Sequence, residues 1–157
     1  MKKIALFVDV QNIYYTTRDT YQRSFNYRKF WQHVSQQGDI IHAYAYATHK
    51  NDDKQIKFQD ALKHIGFTVK LKPYIQRSDG SAKGDWDVGI TIDILDSAKE
   101  VDNIILLSGD GDFDLLLDRV SQQDNVKTEV YGVPALTANS LIKSADVFYG
   151  IDETFLL

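Results

Sequence analysis

Two runs of the chain, Ile4-Ala5-Leu6-Phe7-Val8 and Ile104-Ile105-Leu106-Leu107, contain no polar residue, and each leads directly into an acidic turn. A strand with one wet face alternates apolar and polar side chains, whereas an uninterrupted apolar run needs cover on both faces. Such strands belong in a mainly parallel sheet with helices above and below it. The segments between the runs supply those helices. Asn12 to about Arg23 and Tyr27 to Gln37 read as helical, the second with Phe30, Trp31 and Val34 at helical spacing, Asn26 as N-cap and Gly38 as stop. Asp52 to His64 is amphipathic and stops at Gly66, Val88 to Ala98 is an apolar helix, and Phe113 to Val120 and Thr137 to Ser144 complete the set.

Further strands are expected over Ile40 to Thr48, with His42, Tyr44 and Tyr46 on one face and alanines on the other, and over Phe67 to Ile75, where Pro73 marks an end or an edge. Lys127 to Val133 and Val147 to Ile151 read the same way. Gln76 to Gly84 is the flexible loop of the chain. This β-α alternation predicts an α/β fold, a three-layer α/β/α sandwich around a mainly parallel sheet, with strand order open. No composition break or repeat divides the 157 residues, so a single domain over 1–157 is expected.

Composition narrows the function. With 43% hydrophobic and 25% charged residues the chain is ordinarily globular. It lacks the roughly 18 consecutive apolar residues of a membrane span. The opening MKKIALFVDV resembles a secretory leader only until Asp9 and Gln11 interrupt it, so a first strand and a cytoplasmic location are the expectation. The absence of cysteine removes disulfides, zinc thiolates and thiol nucleophiles. A net charge of −4 argues against gripping nucleic acid by bulk electrostatics, so any such contact must be local and helped by cations.

In open parallel sheets ligands bind beyond the carboxyl ends of the strands. Asp9, followed by Asn12, ends the first apolar run, and Ser108-Gly109-Asp110-Gly111-Asp112-Phe113 ends the second. Asp85 and Asp87 follow the loop and open an apolar helix. Carboxylates crowded without a cationic partner repel one another, and a hard divalent ion relieves that repulsion through oxygen ligands. The alternative for Asp85, Asp87 and Asp112 is helix capping, at about even odds residue by residue. Asp93, Asp96 and Asp114 fit helix faces better, solvated or hydrogen-bonded. Asp110, Asp112 and Asp114 are spaced like a calcium loop, but Leu115 and Ser121 stand where that loop needs glycine and glutamate. Phosphate-binding glycine motifs are absent, a phosphatase DxD is not formed by Asp9-Val10-Gln11, and the four histidines have no ligand spacing.

Taken together, Phe7-Val8-Asp9-Val10-Gln11-Asn12, Lys83-Gly84-Asp85-Trp86-Asp87-Val88 leading to Asp93, Leu107-Ser108-Gly109-Asp110-Gly111-Asp112-Phe113, and the pair Ser140-Leu141 with Ala145-Asp146-Val147-Phe148 resemble the ordered motifs of the NYN (LabA-like) domains, relatives of the PIN nucleases. The resemblance runs from residue 4 to about 149. It implies a PIN-like, metal-dependent nuclease in which Asp9, Asp87, Asp110 and Asp112 hold Mg²⁺ or Mn²⁺, Asn12 orients a phosphate or water, and Ser108 supports the site. Asp87 is favoured over Asp85 as the inward acid because Val88 follows it. Lys83, Arg77, Lys50 and Arg18 are candidate phosphate contacts. Trp86, Tyr14 and Tyr15 are candidate stacking residues, core packing being the stronger alternative for Tyr14 than for Trp86. The partner implied is single-stranded RNA, with a homo-oligomer as a further option and no membrane. A binding module that does not cut, or a phosphatase for small phosphate esters, remains the alternative function.

Overall fold

A computed structural model describes residues 1–49, 52–73, 75–76, 82–83 and 85–157. The first apolar run forms β1 (Lys3–Asp9), buried from Ile4 to Val8. It is followed by α1 (Val10–Tyr21), α2 (Tyr27–Ser35), β2 (Asp39–His49), α3 (Asp53–Ile65) and β3 (Thr68–Pro73). Two short strands, β4 (Ile75–Gln76) and β5 (Ala82–Lys83), precede α4 (Asp87–Ser97) and β6 (Asn103–Leu107). A 3-10 turn over Gly111–Phe113 leads into α5 (Asp114–Asp124), and then come β7 (Lys127–Gly132), α6 (Asn139–Ser144) and β8 (Val147–Gly150).

Six strands form one sheet in the order β3-β2-β1-β6-β7-β8, and every pairing within it is parallel. The pleat sends alternate residues of the central strands to opposite faces. Ile4, Leu6, Val8, Ile105 and Leu107 pack with Ile13 of α1, Phe30 and Val34 of α2 and Leu62 of α3. On the other face Ala5, Phe7, Ile104 and Leu106 pack with Ile90 and Ile94 of α4, Leu117 and Val120 of α5 and Leu141 of α6. Each fully buried aliphatic or aromatic side chain contributes about 1.5–3 kcal/mol. The two faces therefore carry comparable cores, which is the three-layer α/β/α arrangement read from the sequence.

Local signals act where they were read. Asn26 caps α2, its side chain accepting from the Lys29 N–H at 3.1 Å, and Asp52 caps α3 through the Gln55 N–H at 2.9 Å. α3 ends at Gly66, whose φ of 137° excludes residues with a Cβ, and the Trp31 indole lies where that Cβ would project. Pro73 sits at the end of β3, which is also an edge strand.

Of the strand expected over Phe67 to Ile75, Thr68–Pro73 forms β3 and Ile75 belongs to β4, with residue 74 between them outside the described residues. Within the flexible loop expected over Gln76 to Gly84, Gln76 and Ala82–Lys83 lie in regular structure, because β4 and β5 pair antiparallel, Ile75 opposite Lys83 and Gln76 opposite Ala82. Residues 77–81 and 84 lie outside the described residues.

The strand order positions the site. From β1 the chain steps outward through β2 to β3, then returns to place β6 on the other side of β1 and continues outward to β8. The direction reverses between β1 and β6, and beyond the carboxyl ends of these two strands opens the crevice characteristic of such switch points.

Candidate metal centre

Val8 pairs with Leu107, so the next residues, Asp9 and Ser108, emerge side by side from the sheet. The Ser108 hydroxyl donates to Asp9 Oδ2 at 3.2 Å and accepts from the Asp110 N–H at 3.1 Å. The Asn12 side-chain oxygen accepts from the Gly109 N–H at 2.9 Å, tying the first turn of α1 to the turn after β6. Gly109 is required there by close approach. A Cβ at this position would lie 2.6 Å from the Leu136 carbonyl oxygen and 3.2 Å from Thr137 Cα. Its own carbonyl accepts from the Ala138 N–H at 3.0 Å. Asn12 and Ser108 thus build the cradle by joining its two walls.

Asp87, Asp110 and Asp112 each bring one carboxylate oxygen to within 4.8 Å of the others. Asp87 comes from the first turn of α4, Asp110 from the turn that follows β6 and Asp112 from the 3-10 turn. Asp9, expected in the same ligand set, is not among the three; it is buried more deeply than Asp87, and its charge acts on Asp87. Its carboxyl is pushed up to about 6 by desolvation, against the hydrogen bonds from Asn12 and Ser108, with the charges of Asp110 and Asp85 adding to the rise. Desolvation, a hydrogen bond with the Asp110 carboxyl and the charges of Asp110, Asp85 and Asp9 push Asp87 up to about 7. Among the described residues no lysine, arginine or histidine forms an ion pair with any of these acids.

Three oxygens at that spacing match the size and hardness of a small divalent cation, and the repulsion recorded in Asp87 is what such an ion would remove. The chain offers only partial compensation of its own, since α1, α4 and α5 all begin at the crevice and direct their positive N-terminal ends toward it.

The capping alternative falls differently from the expectation. Asp87 and Asp112 cap nothing. Trp86 and Phe113 occupy the cap positions of α4 and α5, and neither makes a side-chain cap bond. The caps are Asp9, which accepts a long 3.4 Å bond from the Asn12 N–H, and Asp110, which accepts from the Asp112 N–H at 2.9 Å. Asp85 accepts from the Asp87 N–H at 3.3 Å and remains exposed, whereas Asp87 joins the cluster.

Aromatic and basic candidates also redistribute. Trp86 is half-buried against Tyr46, its ring nitrogen donates to the Ala47 carbonyl at 2.9 Å, and Lys72 lies over its ring at 4.7 Å. Tyr14, for which core packing was the stronger expectation, is 47% exposed, and Tyr15 is 50% exposed. Arg18 donates to the Tyr14 hydroxyl at 2.7 Å. Arg77 and Lys50 lie outside the described residues, and Lys83 is described only as backbone in β5.

Two lysines escaped the sequence reading. Lys70 and Lys72 alternate on β3 and so share a face. Lys70 donates to Asp93 Oδ2 at 2.6 Å, and Lys72 to the Asp85 carbonyl at 3.2 Å. Their i, i+2 spacing beside Pro73 was the signal that could have placed them together. Asp93 also accepts from the Tyr46 hydroxyl at 2.8 Å, in keeping with the hydrogen-bonded role expected of it. The closing motif is structural: Leu141 is fully buried, and Asp146 Oδ2 accepts from the Thr128 N–H at 2.9 Å, fastening the start of β8 to β7.

This geometry has close counterparts. A crystal structure of a protein of unknown function from Vibrio parahaemolyticus superposes with a TM-score of 0.95 at 55% identity, over 99% of this chain and 96% of that one. The Low amplitude and bright protein LabA of Synechococcus elongatus is 26% identical over 159 aligned positions, 96% of this chain and 84% of LabA. Ribokinase from Giardia lamblia shares the fold alone, with a TM-score of 0.52 at 10% identity, over 94% of this chain and 57% of that one. The NYN domain matches residues 3–152, nearly the whole length, and the chain belongs to the NYN domain family.

Proposed function

We propose that the protein is a divalent-metal-dependent nuclease that hydrolyses phosphodiester bonds of single-stranded RNA, acting as a single cytoplasmic domain. One observation carries the reading: Asp87, Asp110 and Asp112 meet within 4.8 Å at the switch point of the sheet, and among the described residues no cationic side chain pairs with them. Membership of the NYN family supports the same chemistry.

Asp87, Asp110 and Asp112 would hold Mg²⁺ or Mn²⁺, which when bound would supply positive charge and Lewis acidity for phosphodiester hydrolysis. The chain's own residues do the positioning. Asp9 and Asp110 are set by the shared Ser108 hydroxyl, and Asn12 fixes the turn that presents Asp110. The N-terminal ends of α1, α4 and α5 favour an anion at the crevice. Lys72, whose ammonium reaches the Asp85 carbonyl, adds local positive charge beside α4, which suits a chain whose net charge is −4. Exposed Tyr14 and Tyr15 on α1 offer faces on which unpaired bases stack. Among the described residues no helix is long and apolar enough to cross a membrane.

The test is cleavage of labelled single-stranded RNA across Mg²⁺ and Mn²⁺ titrations by wild type, Asp9→Asn and Asp110→Asn. Cation-dependent cleavage that falls at least ~100-fold in both variants is expected. Equal cleavage by all three proteins would sink the site. No cleavage of RNA or DNA by wild type would favour a binding module.

A further inference from the structure

α1 carries aromatic rings and an arginine on its outer side. Val10, Ile13 and Thr17 are buried, whereas Gln11, Tyr14, Tyr15, Arg18 and Gln22 are exposed. Counted from Gln11, these five stand at i, i+3, i+4, i+7 and i+11, a spacing that aligns them along one side of a helix. Tyr14 and Tyr15 are 47% and 50% exposed, and their rings meet edge to face at 5.3 Å. Arg18 donates to the Tyr14 hydroxyl at 2.7 Å and lies 5.8 Å from the centre of that ring, so its guanidinium is held beside the aromatic pair.

The stripe starts at Gln11, two residues after Asp9, and runs away from the crevice. At about 1.5 Å per residue, Tyr14 lies about 8 Å and Arg18 about 14 Å along the helix axis from Asp9. Beyond Arg18 it ends in a groove of about 200 Å³ lined by Tyr14, Arg18, Gln22, Arg23 and Ser24. That is smaller than the roughly 300–1,000 Å³ of a pocket for a whole small molecule, and its lining is rich in hydrogen-bond donors. Arg23 is anchored there, donating to the Leu157 carbonyl at 2.7 Å and to that of Leu156 at 3.4 Å. Among the described residues neither Arg18 nor Arg23 forms an ion pair with an aspartate or glutamate. From Gln11 to His33 the chain carries Arg18, Arg23, Arg28 and Lys29 against the single acid Asp19, in a protein of net charge −4.

We propose that this side of α1 is a track for single-stranded RNA leaving the crevice, with bases stacked on Tyr14 and Tyr15 and a phosphate seated between Arg18 and Arg23. The inference rests on the nuclease reading for the identity of its ligand and deepens it. Ring faces and backbone charge do the recognising, so the strand is unpaired and is held without sequence preference. A duplex keeps its bases stacked on one another and offers no free faces to the tyrosines. The track also shows how a chain of net negative charge holds a polyanion: its cations are gathered on one helix, a distance away from the acids.

The experiment is fluorescence anisotropy in EDTA, over a series of salt concentrations, with an end-labelled ~12-nucleotide oligoadenylate and its abasic counterpart. Tyr15→Ala lowers the affinity for oligoadenylate ~10-fold and leaves the abasic strand within ~2-fold of wild type, a difference that a general loss of structure would not produce. Arg18→Gln weakens both strands and lowers the slope of log affinity against log salt by ~0.7, the share of one phosphate contact on a single strand. Arg18→Lys keeps the slope, and so does Lys99→Gln, a control exposed just after α4 on the other face of the sheet. Far-ultraviolet circular dichroism shows that the variants are folded. A wild type that binds neither strand, a Tyr15→Ala loss that is absent or equal on both strands, or a slope untouched by Arg18→Gln overturns the proposal. Because binding is read without metal, the two readings fail separately: cleavage that depends on Asp110 beside an unchanged slope in Arg18→Gln upholds the nuclease and rejects the track.

Discussion

Replacing Asp9 with asparagine changes the stability of the metal-free protein in opposite directions at high and low pH. Burial pushes the Asp9 carboxyl from 3.8 up to about 6. A raised folded-state pKa means that the folded protein holds the proton more tightly than the unfolded chain. The stability this contributes is complete below 3.8, drains away as the pH rises, and is gone above about 6. The gap corresponds to about 3 kcal/mol at 1.36 kcal/mol per pH unit. Asparagine escapes that loss because it never ionises. It keeps an oxygen for the Asn12 N–H but turns an amide toward Ser108, whose hydroxyl then has no acceptor there, at about 1 kcal/mol. The variant should thus be more stable than wild type by about 2 kcal/mol at pH 8 and less stable by about 1 kcal/mol well below pH 4, the curves crossing near pH 4.5. Urea unfolding in EDTA at several pH values measures this. Mg²⁺ or Mn²⁺ should then raise the wild-type midpoint more than that of the variant. A variant less stable than wild type at pH 8, or one offset equally at every pH, refutes the claim that a buried charge is held at position 9 against its own solvation.

Three further outcomes follow from the same geometry. Mn²⁺ affinity measured by calorimetry should fall at least ~10-fold between pH 8 and pH 6, since protons compete for Asp87 and Asp9 as the pH drops through about 7 and about 6; a flat profile would exclude these carboxylates as ligands. Gly109→Ala should cost about 2–4 kcal/mol in urea unfolding, because its Cβ would meet backbone atoms of residues 136 and 137 that cannot swing aside; a loss below ~0.5 kcal/mol would mean that this turn is looser than described. Lys70→Met should cost about 1–2 kcal/mol by leaving Asp93, 20% exposed, with only the Tyr46 hydroxyl, and the cost should vanish in an Asp93→Asn background.

Why some of this was legible in the sequence and some was not comes down to range. The apolar runs at Ile4–Val8 and Ile104–Leu107 announce their own burial, and Asn26, Asp52 and Gly66 act within a single turn, so their roles follow from local chemistry. The capping roles of the crevice acids do not, because a side chain caps only if the backbone before the helix points it back toward free N–H groups. Asp87 is the first residue of α4 and Asp112 the second of the 3-10 turn, so neither can do so, whereas Asp9 and Asp110 stand immediately before their helical turns and do. Trp86 and Tyr14 exchanged expectations for a related reason. Burial of an aromatic beside a helix depends on the neighbouring strand, here β2, whose Tyr46 and Ala47 receive Trp86, and nothing comparable lies over Tyr14. The order of strands is wholly nonlocal, yet it is what makes the ends of β1 and β6 neighbours.

The acids outside the crevice are what give the crevice its meaning. Asp93 holds Lys70 and Tyr46, Asp102 accepts from the Lys3 N–H at 2.8 Å, and Asp146 accepts from the Thr128 N–H and hydroxyl. Each is explained by a bond within the protein. The fold therefore has the means to satisfy a partly buried carboxylate, and β3 carries a lysine to Asp93 in the same region as α4. At the crevice the same fold gathers Asp87, Asp110 and Asp112, with Asp9 and Asp110 fixed by the Ser108 hydroxyl, and among the described residues none of these acids has a cationic side chain as partner. A divalent cation bound there would relieve the repulsion that burial and neighbouring charges impose on Asp87. That is why the metal dependence of stability, before any assay of cleavage, is the measurement on which the site stands.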